Sequence, residues 1–274
     1  MQTEPDSDEL GYAVADGVAV LTIHRPDRMN AWTPQLETQL RQRIAQAEAD
    51  VQVRCIVLTG AGRAFCAGMD MAVLQARSAD AQGAAVGADA GDPSDADADA
   101  AQRYGYLGYV DKPLIAAING AASGVGLCLT LHCDLRYVVP GAKLSFPYAR
   151  RGLVAEHGTA WLLPRLIGPM QAAELLITGR TFTGDEAERM GLAQCLPAED
   201  FMSDVLTRAR EIAAATSPRA VRLIKQQLRE ARYQTLGEAT RIADREIAAC
   251  RGTEDFQEGV RHFVEKRAPR FTGR

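Results

Sequence analysis

Gly62-Arg-Ala-Phe-Cys-Ala-Gly-Met-Asp70 and Asn119-Gly-Ala-Ala-Ser-Gly-Val-Gly126 are the two stretches whose reading decides the fold. The first follows the apolar run Arg54–Thr59 (RCIVLT), the second the apolar run Pro113–Ile118 (PLIAAI). Short continuous apolar runs of this kind read as strands covered on both faces. Each is followed by small residues and then by the expected start of a helix. Small residues allow a ligand close to the backbone, and a helix start leaves N–H groups without intrahelical acceptors. Two such turns side by side can aim two N–H donors at one oxygen, which is the layout of an oxyanion hole. Taken singly, each is equally well read as a plain glycine turn. A dinucleotide loop is disfavoured: Gly60-Ala-Gly62-Arg-Ala-Phe65 approaches G-x-G-x-x-G, but Phe65 replaces the third glycine and a hairpin and a helix precede it.

Outward from these turns, the pattern alternates strands and helices. Tyr12–Ala15 and Val18–His24 predict a hairpin about Asp16-Gly17. Asn30–Asp50 predicts a helix, with Thr33 able to cap it, Pro34 in its first turn and Leu36, Leu40 and Ile44 on one stripe. Leu135–Val139 predicts a third buried strand. Residues 77–101, rich in Ala, Asp and Gly and without period, predict a mobile loop or a frayed helix. Beyond Ser145 helical spacing dominates: Ala155–Ile167, Met170–Thr178, Gly184–Met190, Phe201–Ala215, Ser217–Arg232 and Leu236–Cys250. The expectation is an α/β core over residues 1–200 and a helical region over 201–274.

Composition narrows the class. The 274 residues are 47% hydrophobic and 24% charged with a net charge of −4, ordinary for a globular protein and without the basic footprint of a nucleic-acid binder. The acidic start MQTEPDSDELGYAV has no apolar signal region, and no stretch has membrane-spanning length, so a cytoplasmic protein without membrane contact is expected. The six cysteines form no CxxC pair and lack zinc spacing, so no metal is expected and reduced, mostly buried thiols are.

Five segments in order resemble the crotonase superfamily, the enoyl-CoA hydratase/isomerase family. They are His24-Arg-Pro-Asp-Arg-Met-Asn-Ala31; Ala64-Phe-Cys-Ala-Gly-Met-Asp70; Asn119-Gly with Gly124-Val-Gly126 and Cys133-Asp134; Phe146-Pro-Tyr148 through Leu163-Pro-Arg-Leu-Ile-Gly168; and Phe263-Val-Glu-Lys-Arg-Ala-Pro-Arg-Phe-Thr-Gly273. The resemblance implies a spiral of repeated ββα units with C-terminal helices that build a homotrimer or a hexamer. It implies an acyl-coenzyme A thioester as substrate, with coenzyme A arriving as part of that substrate and no permanently bound cofactor. The backbone N–H groups of Met69 and Val125 would hold the thioester oxygen, flanked by Gly68 and Gly124; Val125 stands where the family usually has glycine. Arg25, Ala31, Ala67 and Met71 would line the coenzyme A path, and Phe263 and Lys266 would reach its nucleotide end. Asp70, beside that path, reads as a helix cap.

The resemblance also locates the acid–base chemistry. Hydratases of the family use two glutamates, at the positions of Cys128 and Tyr148 here. Thiol and phenol, with reference pKa values near ~8.5 and ~10, do not replace carboxylates at neutral pH. Glu156 stands where the isomerase branch has its single catalytic glutamate. A lone base suffices to move a double bond by taking and returning one proton. Three readings remain open: an isomerase working through Glu156, an atypical hydratase, hydrolase or ring-opening enzyme using the same carboxylate, and a silent acyl-CoA-binding protein in which Glu156 merely caps a helix. His157 reads as a structural neighbour of Glu156, and His132 as a core histidine.

Overall fold

Asp16 and Gly17 both have positive φ, 52° and 77°, the left-handed pair that a two-residue type I′ hairpin turn demands. They join β1 (Leu10–Ala15) to β2 (Val18–Ile23), antiparallel from Leu10 against Ile23 to Ala15 against Val18. The structure is a computed structural model describing residues 9–80 and 96–274. After a 3₁₀ turn at Pro26–Arg28 comes α1 (Pro34–Ala49), capped by the Thr33 hydroxyl, which accepts from Leu36 N at 3.0 Å. The sequence pattern starts this helix at Asn30; it starts at Pro34 because Asn30 has φ 55° and spends its side chain elsewhere.

Three ββα units follow. They are β3 (Cys55–Gly60), β4 (Ala64–Cys66) and α2 (Met71–Asp80); then, past α3 (Ala96–Ala101) and a 3₁₀ turn at Gly105–Tyr109, β5 (Leu114–Ile118), β6 (Ala121–Ser123) and α4 (Val125–Leu131); then β7 (Leu135–Val138), β8 (Lys143–Ser145) and α5 (Thr159–Ile167). In each unit the first strand joins a six-stranded sheet, ordered β1-β2-β3-β5-β7-β10, and the second joins a four-stranded sheet, ordered β4-β6-β8-β9. The remaining elements are α6 (Pro169–Thr178), β9 (Thr181–Thr183), α7 (Gly184–Arg189), β10 (Gln194–Cys195), α8 (Phe201–Ala215), α9 (Pro218–Glu230), α10 (Leu236–Cys250) and α11 (Glu254–Glu265). Strands run parallel except in the β1–β2 and β8–β9 pairs.

Residues 77–80 continue α2 and 96–101 form α3, so the ends of the segment expected as a loop are helical; 81–95 lie outside the described residues. The pattern also starts α5 at Ala155, four residues early, because His157 and Gly158 take φ 54° and 76° and break any helix there.

The period-2 logic of the strands separates two cores. On β3, Ile56 and Leu58 face the main core with Trp32, Phe65 and Leu114, while Cys55 and Val57 face Val205, Ala209 and Ala213 of α8. Helix α8, at the start of the 201–274 region, therefore covers the outer face of the large sheet and explains why RCIVLT and PLIAAI are apolar throughout. Each large side chain buried there stabilises the fold by roughly 1.5–3 kcal/mol.

Candidate active site

The two turns that open the sequence reading are the ends of β4 and β6, which pair parallel, Ala64 against Ala121 and Cys66 against Ala122. The chain beyond each strand therefore emerges on the same side. Gly68, at φ 103°, passes so close to the second turn that a side chain there would stand 3.1 Å from the Ser123 carbonyl oxygen. Gly126 is constrained harder: a Cβ would meet the Cys66 carbonyl oxygen at 2.4 Å. Only glycine lets the first turn of α4 lie flat against the end of β4.

Backbone bonds fix the first turn. Ala67 N donates to Met29 O at 3.0 Å, Trp32 N to Gly68 O at 2.8 Å and Asp70 N to Trp32 O at 2.9 Å. The Met69 N–H takes part in none of these. Val125 opens α4 after Gly124, so its N–H has no intrahelical acceptor. Gly124 N itself donates to Ser145 O at 3.1 Å. Asn30 and Asn119 pin the corners: Asn30 Nδ2 donates to Ala61 O and Ala64 O at 2.9 and 2.7 Å, and Asn119 Oδ1 accepts from Gly60 N at 3.1 Å.

Arg25 gathers the residues expected along the coenzyme A path. Its guanidinium donates to Ala31 O and pairs with Asp70 at 3.2 Å and with Glu9 at 2.8 Å. Asp70 caps α2 by accepting from Ala72 N at 3.0 Å. That N–H, with Arg25, holds the Asp70 carboxyl below the usual carboxylate range. Met71 is exposed.

One turn into α4, Cys128 meets the loop that carries Glu156. Cys128 Sγ lies 3.9 Å from Glu156 O and 3.7 Å from His157 O. Thr159, fully buried, donates its hydroxyl to Glu156 O at 2.7 Å and lies 3.3 Å from Cys128 Sγ and 3.4 Å from the Tyr148 hydroxyl. The Cys128–Thr159–Tyr148 contacts thus join the two positions that the resemblance matches to the hydratase glutamates. Burial pushes the Cys128 thiol up to about 11 and the Tyr148 phenol also upward, so both stay protonated at neutral pH. The Glu156 carboxylate remains 39% exposed, 3.5 Å from His157 Nε2. The N-cap of α5 is Gly158, two residues beyond Glu156 and without a side-chain cap bond.

Behind His157 lie buried residues that no sequence motif marks. The His157 ring stands edge-on to Tyr104 at 4.8 Å, and Tyr104 edge-on to the buried Trp32 at 6.1 Å. Tyr104 donates to Glu37 at 3.2 Å, and Arg103 grips the same carboxylate through two nitrogens. Burial would raise the Glu37 carboxyl, but the Arg103 hydrogen bonds and charge outweigh it and leave it below the ordinary range. His132, half-buried, reaches His157 O at 3.2 Å through Nε2. The structure thus brings Arg25, Ala31, Ala67 to Asp70, Gly124, Val125, Tyr148 and Glu156 to one end of the sheets. Phe263 and Lys266 sit on α11 and at its C-cap, and the tail after α11 is held at the other end of β3, where Arg54 donates to Phe271 O at 2.6 Å.

The sequence matches the Enoyl-CoA hydratase/isomerase family profile over residues 13–274. The chain belongs to the enoyl-CoA hydratase/isomerase family. It is 33% identical over 266 residues to a 1,2-epoxyphenylacetyl-CoA isomerase of Escherichia coli, covering 95% of this chain and 97% of that one. It is 36% identical over 264 residues to an enoyl-CoA hydratase of Alternaria alternata, covering 94% and 83%. A probable enoyl-CoA hydratase/isomerase from Mycobacterium abscessus superposes with a TM-score of 0.84 at 34% identity, over 97% of this chain and 99% of that one. The two-sheet ββα spiral is therefore the crotonase fold. No helix among the described residues is long and apolar enough to cross a membrane.

Proposed function

We propose that this family member isomerises enoyl-CoA thioesters by a proton shuttle through Glu156. The observation that carries this reading is the exchange of carboxylates around the site. Cys128 and Tyr148 are buried, protonated and bonded to Thr159, whereas Glu156, whose backbone meets α4 at Cys128, keeps a solvent-reachable carboxylate. A hydratase needs one group to take a proton from water and another to deliver one to carbon. A double-bond isomerase needs one group that does both.

In this mechanism the thioester oxygen accepts hydrogen bonds from Met69 N–H and Val125 N–H. Glu156 removes a proton from C2 of a 3-enoyl thioester, and the C–H electron pair becomes part of a dienolate whose charge rests on that oxygen. The same proton returns to C4, the double bond comes to lie between C2 and C3, and the carboxylate is regenerated. Each backbone donor is worth about 2.7–4 kcal/mol at the transition state, and the positioned base about 10²–10⁴-fold in rate. Arg25, Ala31, Ala67 and Met71 line the coenzyme A path. The face of α11 bearing Phe256, Val260, Phe263 and Val264 is exposed in the single chain, which supports an oligomer in which a neighbouring copy covers it.

A second reading, rearrangement of a ring-derived acyl-CoA like the one named for the Escherichia coli relative, is supported by the 33% identity to that relative over 95% of this chain. The test is turnover of 2-enoyl, 3-enoyl and aryl-epoxide thioesters by wild type and Glu156→Gln, with coenzyme A affinity measured in parallel. Glu156→Gln is expected to bind coenzyme A normally and to lose about 10²–10⁴-fold in rate. Unchanged turnover would remove Glu156 from the mechanism, and inactivity of the wild type toward every thioester would favour the silent acyl-CoA-binding protein.

A further inference from the structure

The backbone that carries Glu156 is held in a sparsely populated shape by several hydrogen-bond donors. His157 has φ 54° and Gly158 φ 76°, two consecutive left-handed residues of which the first is not glycine. Such a backbone persists only where its surroundings over-determine it. Here the donors converge on two adjacent carbonyls. Glu156 O accepts from Thr159 N at 3.0 Å and from the Thr159 hydroxyl at 2.7 Å. His157 O faces His132 Nε2 at 3.2 Å and Cys128 Sγ at 3.7 Å.

The direction of these bonds follows from counting protons. Thr159 has one hydroxyl hydrogen, and the 2.7 Å contact assigns it to Glu156 O. The Tyr148 hydroxyl, 3.4 Å away, is then the donor to Thr159 Oγ1. The Cys128 S–H, protonated because buried, has the His157 carbonyl at 3.7 Å and the Glu156 carbonyl at 3.9 Å as acceptors. The two side chains at the positions the resemblance gives to the hydratase carboxylates therefore both send hydrogens, directly or through Thr159, toward the two carbonyls that flank the His157 α carbon.

We propose that Thr159, backed by Tyr148 and Cys128, is a positioning residue for Glu156: the positions at which hydratases of the family carry their acid and base here form a hydrogen-bonded clamp that sets the direction of the Glu156 carboxylate. This rests on the reading of Glu156 as the proton shuttle. It turns the loss of the two glutamates into a gain of rigidity for the remaining base. Proton transfer is sensitive to such placement, since a misplacement of about 1 Å costs on the order of 100-fold.

The experiment compares Thr159→Val, which keeps the shape and removes the hydroxyl, with Thr159→Ser, which keeps the hydroxyl, each alone and combined with Glu156→Gln. Thr159→Val is expected to lower kcat about 10- to 100-fold, with KM and coenzyme A affinity within about two-fold of wild type. Thr159→Ser is expected to restore most of the rate. In the Glu156→Gln background Thr159→Val should cost nothing further, because the group it positions is gone. A wild-type kcat in Thr159→Val, or an equal fractional loss with and without Glu156, would overturn the clamp. Full activity in Glu156→Gln alone would instead overturn the shuttle, so the two failures separate. If Thr159→Val does not fold, Tyr148→Phe, which removes only the donor behind Thr159, should lower kcat several-fold with KM unchanged; an unchanged kcat there would count against the clamp equally.

Discussion

Among single residues, glycine stands where the backbone of the candidate site is crowded, and the Glu156 carboxylate stands where it is open. Gly126 is the sharper case. A methyl group there would stand 2.4 Å from the Cys66 carbonyl oxygen and 2.7 Å from its sulfur, and both sit on a fully buried strand that cannot yield. Gly126→Ala must push α4, and Val125 with it, away from β4. Overpacking of this kind costs about 1–3 kcal/mol, and the displaced Val125 N–H should lower turnover as well. Gly108→Ala, at a position with nothing within 4 Å of the added carbon, serves as control and should leave both properties unchanged. Thermal midpoints and initial rates of the two variants check this; a Gly126→Ala protein as stable and active as the control would show that the close approach does not matter. Glu156, Cys128 and Tyr148 were legible in the sequence because each occupies a motif position. Thr159, Tyr104, Glu37 and Trp32 were not, because no spacing marks them: Tyr104 reaches Glu37 across 67 positions and His157 across 53.

At the scale of elements, strands with uniform burial were the easiest to read. RCIVLT and PLIAAI become β3 and β5 almost residue for residue, since α8 on one side and the main core on the other demand apolar side chains on both faces. The three-residue strands β4, β6 and β8 are too short to show a period, so the second sheet was invisible. Helix starts were misplaced where left-handed residues intervene, at Asn30 and His157. The contact between α4 and the Glu156 loop brings a pH dependence with it. His132, at the end of α4, is held below its ordinary pKa by burial and by the charge of Arg232, against the opposing pull of the His157 carbonyl. The unfolded chain therefore takes up this proton at about pH 6.5, before the folded one does. Below that pH the unfolded state binds more protons, so this contribution to stability is present above about pH 6.5 and is lost as pH falls toward the depressed folded value. Thermal midpoints measured from pH 7.5 down to 5 should fall more steeply for wild type than for His132→Gln. Parallel curves would assign the pH dependence to other groups.

For the molecule as a whole, the exposed apolar side chains of α9 to α11 set the question of assembly. Ile224, Leu228, Leu236, Ile247, Phe256, Val260, Phe263 and Val264 are all exposed, several above 70%, on helices that pack against their own chain through one face only. Helix α9 is tied down by Lys225, which reaches Asp134 and Lys112 O, and the tail by Asp255, which receives Thr272 N at 2.7 Å. If a neighbouring copy covers these faces, as proposed, sedimentation at micromolar concentration is expected to give a trimer or hexamer. A stable monomer would contradict it, and Phe263→Glu should shift any oligomer toward smaller species. What the protein does to a thioester is tested most directly by identifying the product. A 3-enoyl-CoA is incubated with wild-type protein and with Glu156→Gln, and the thioester is recovered for mass spectrometry and proton NMR. The expected product of the wild type has the mass of the substrate and its double bond between C2 and C3, while Glu156→Gln returns the substrate almost unchanged. A product heavier by one water, or the same isomer formed at the same rate by Glu156→Gln, would contradict the single-carboxylate shuttle.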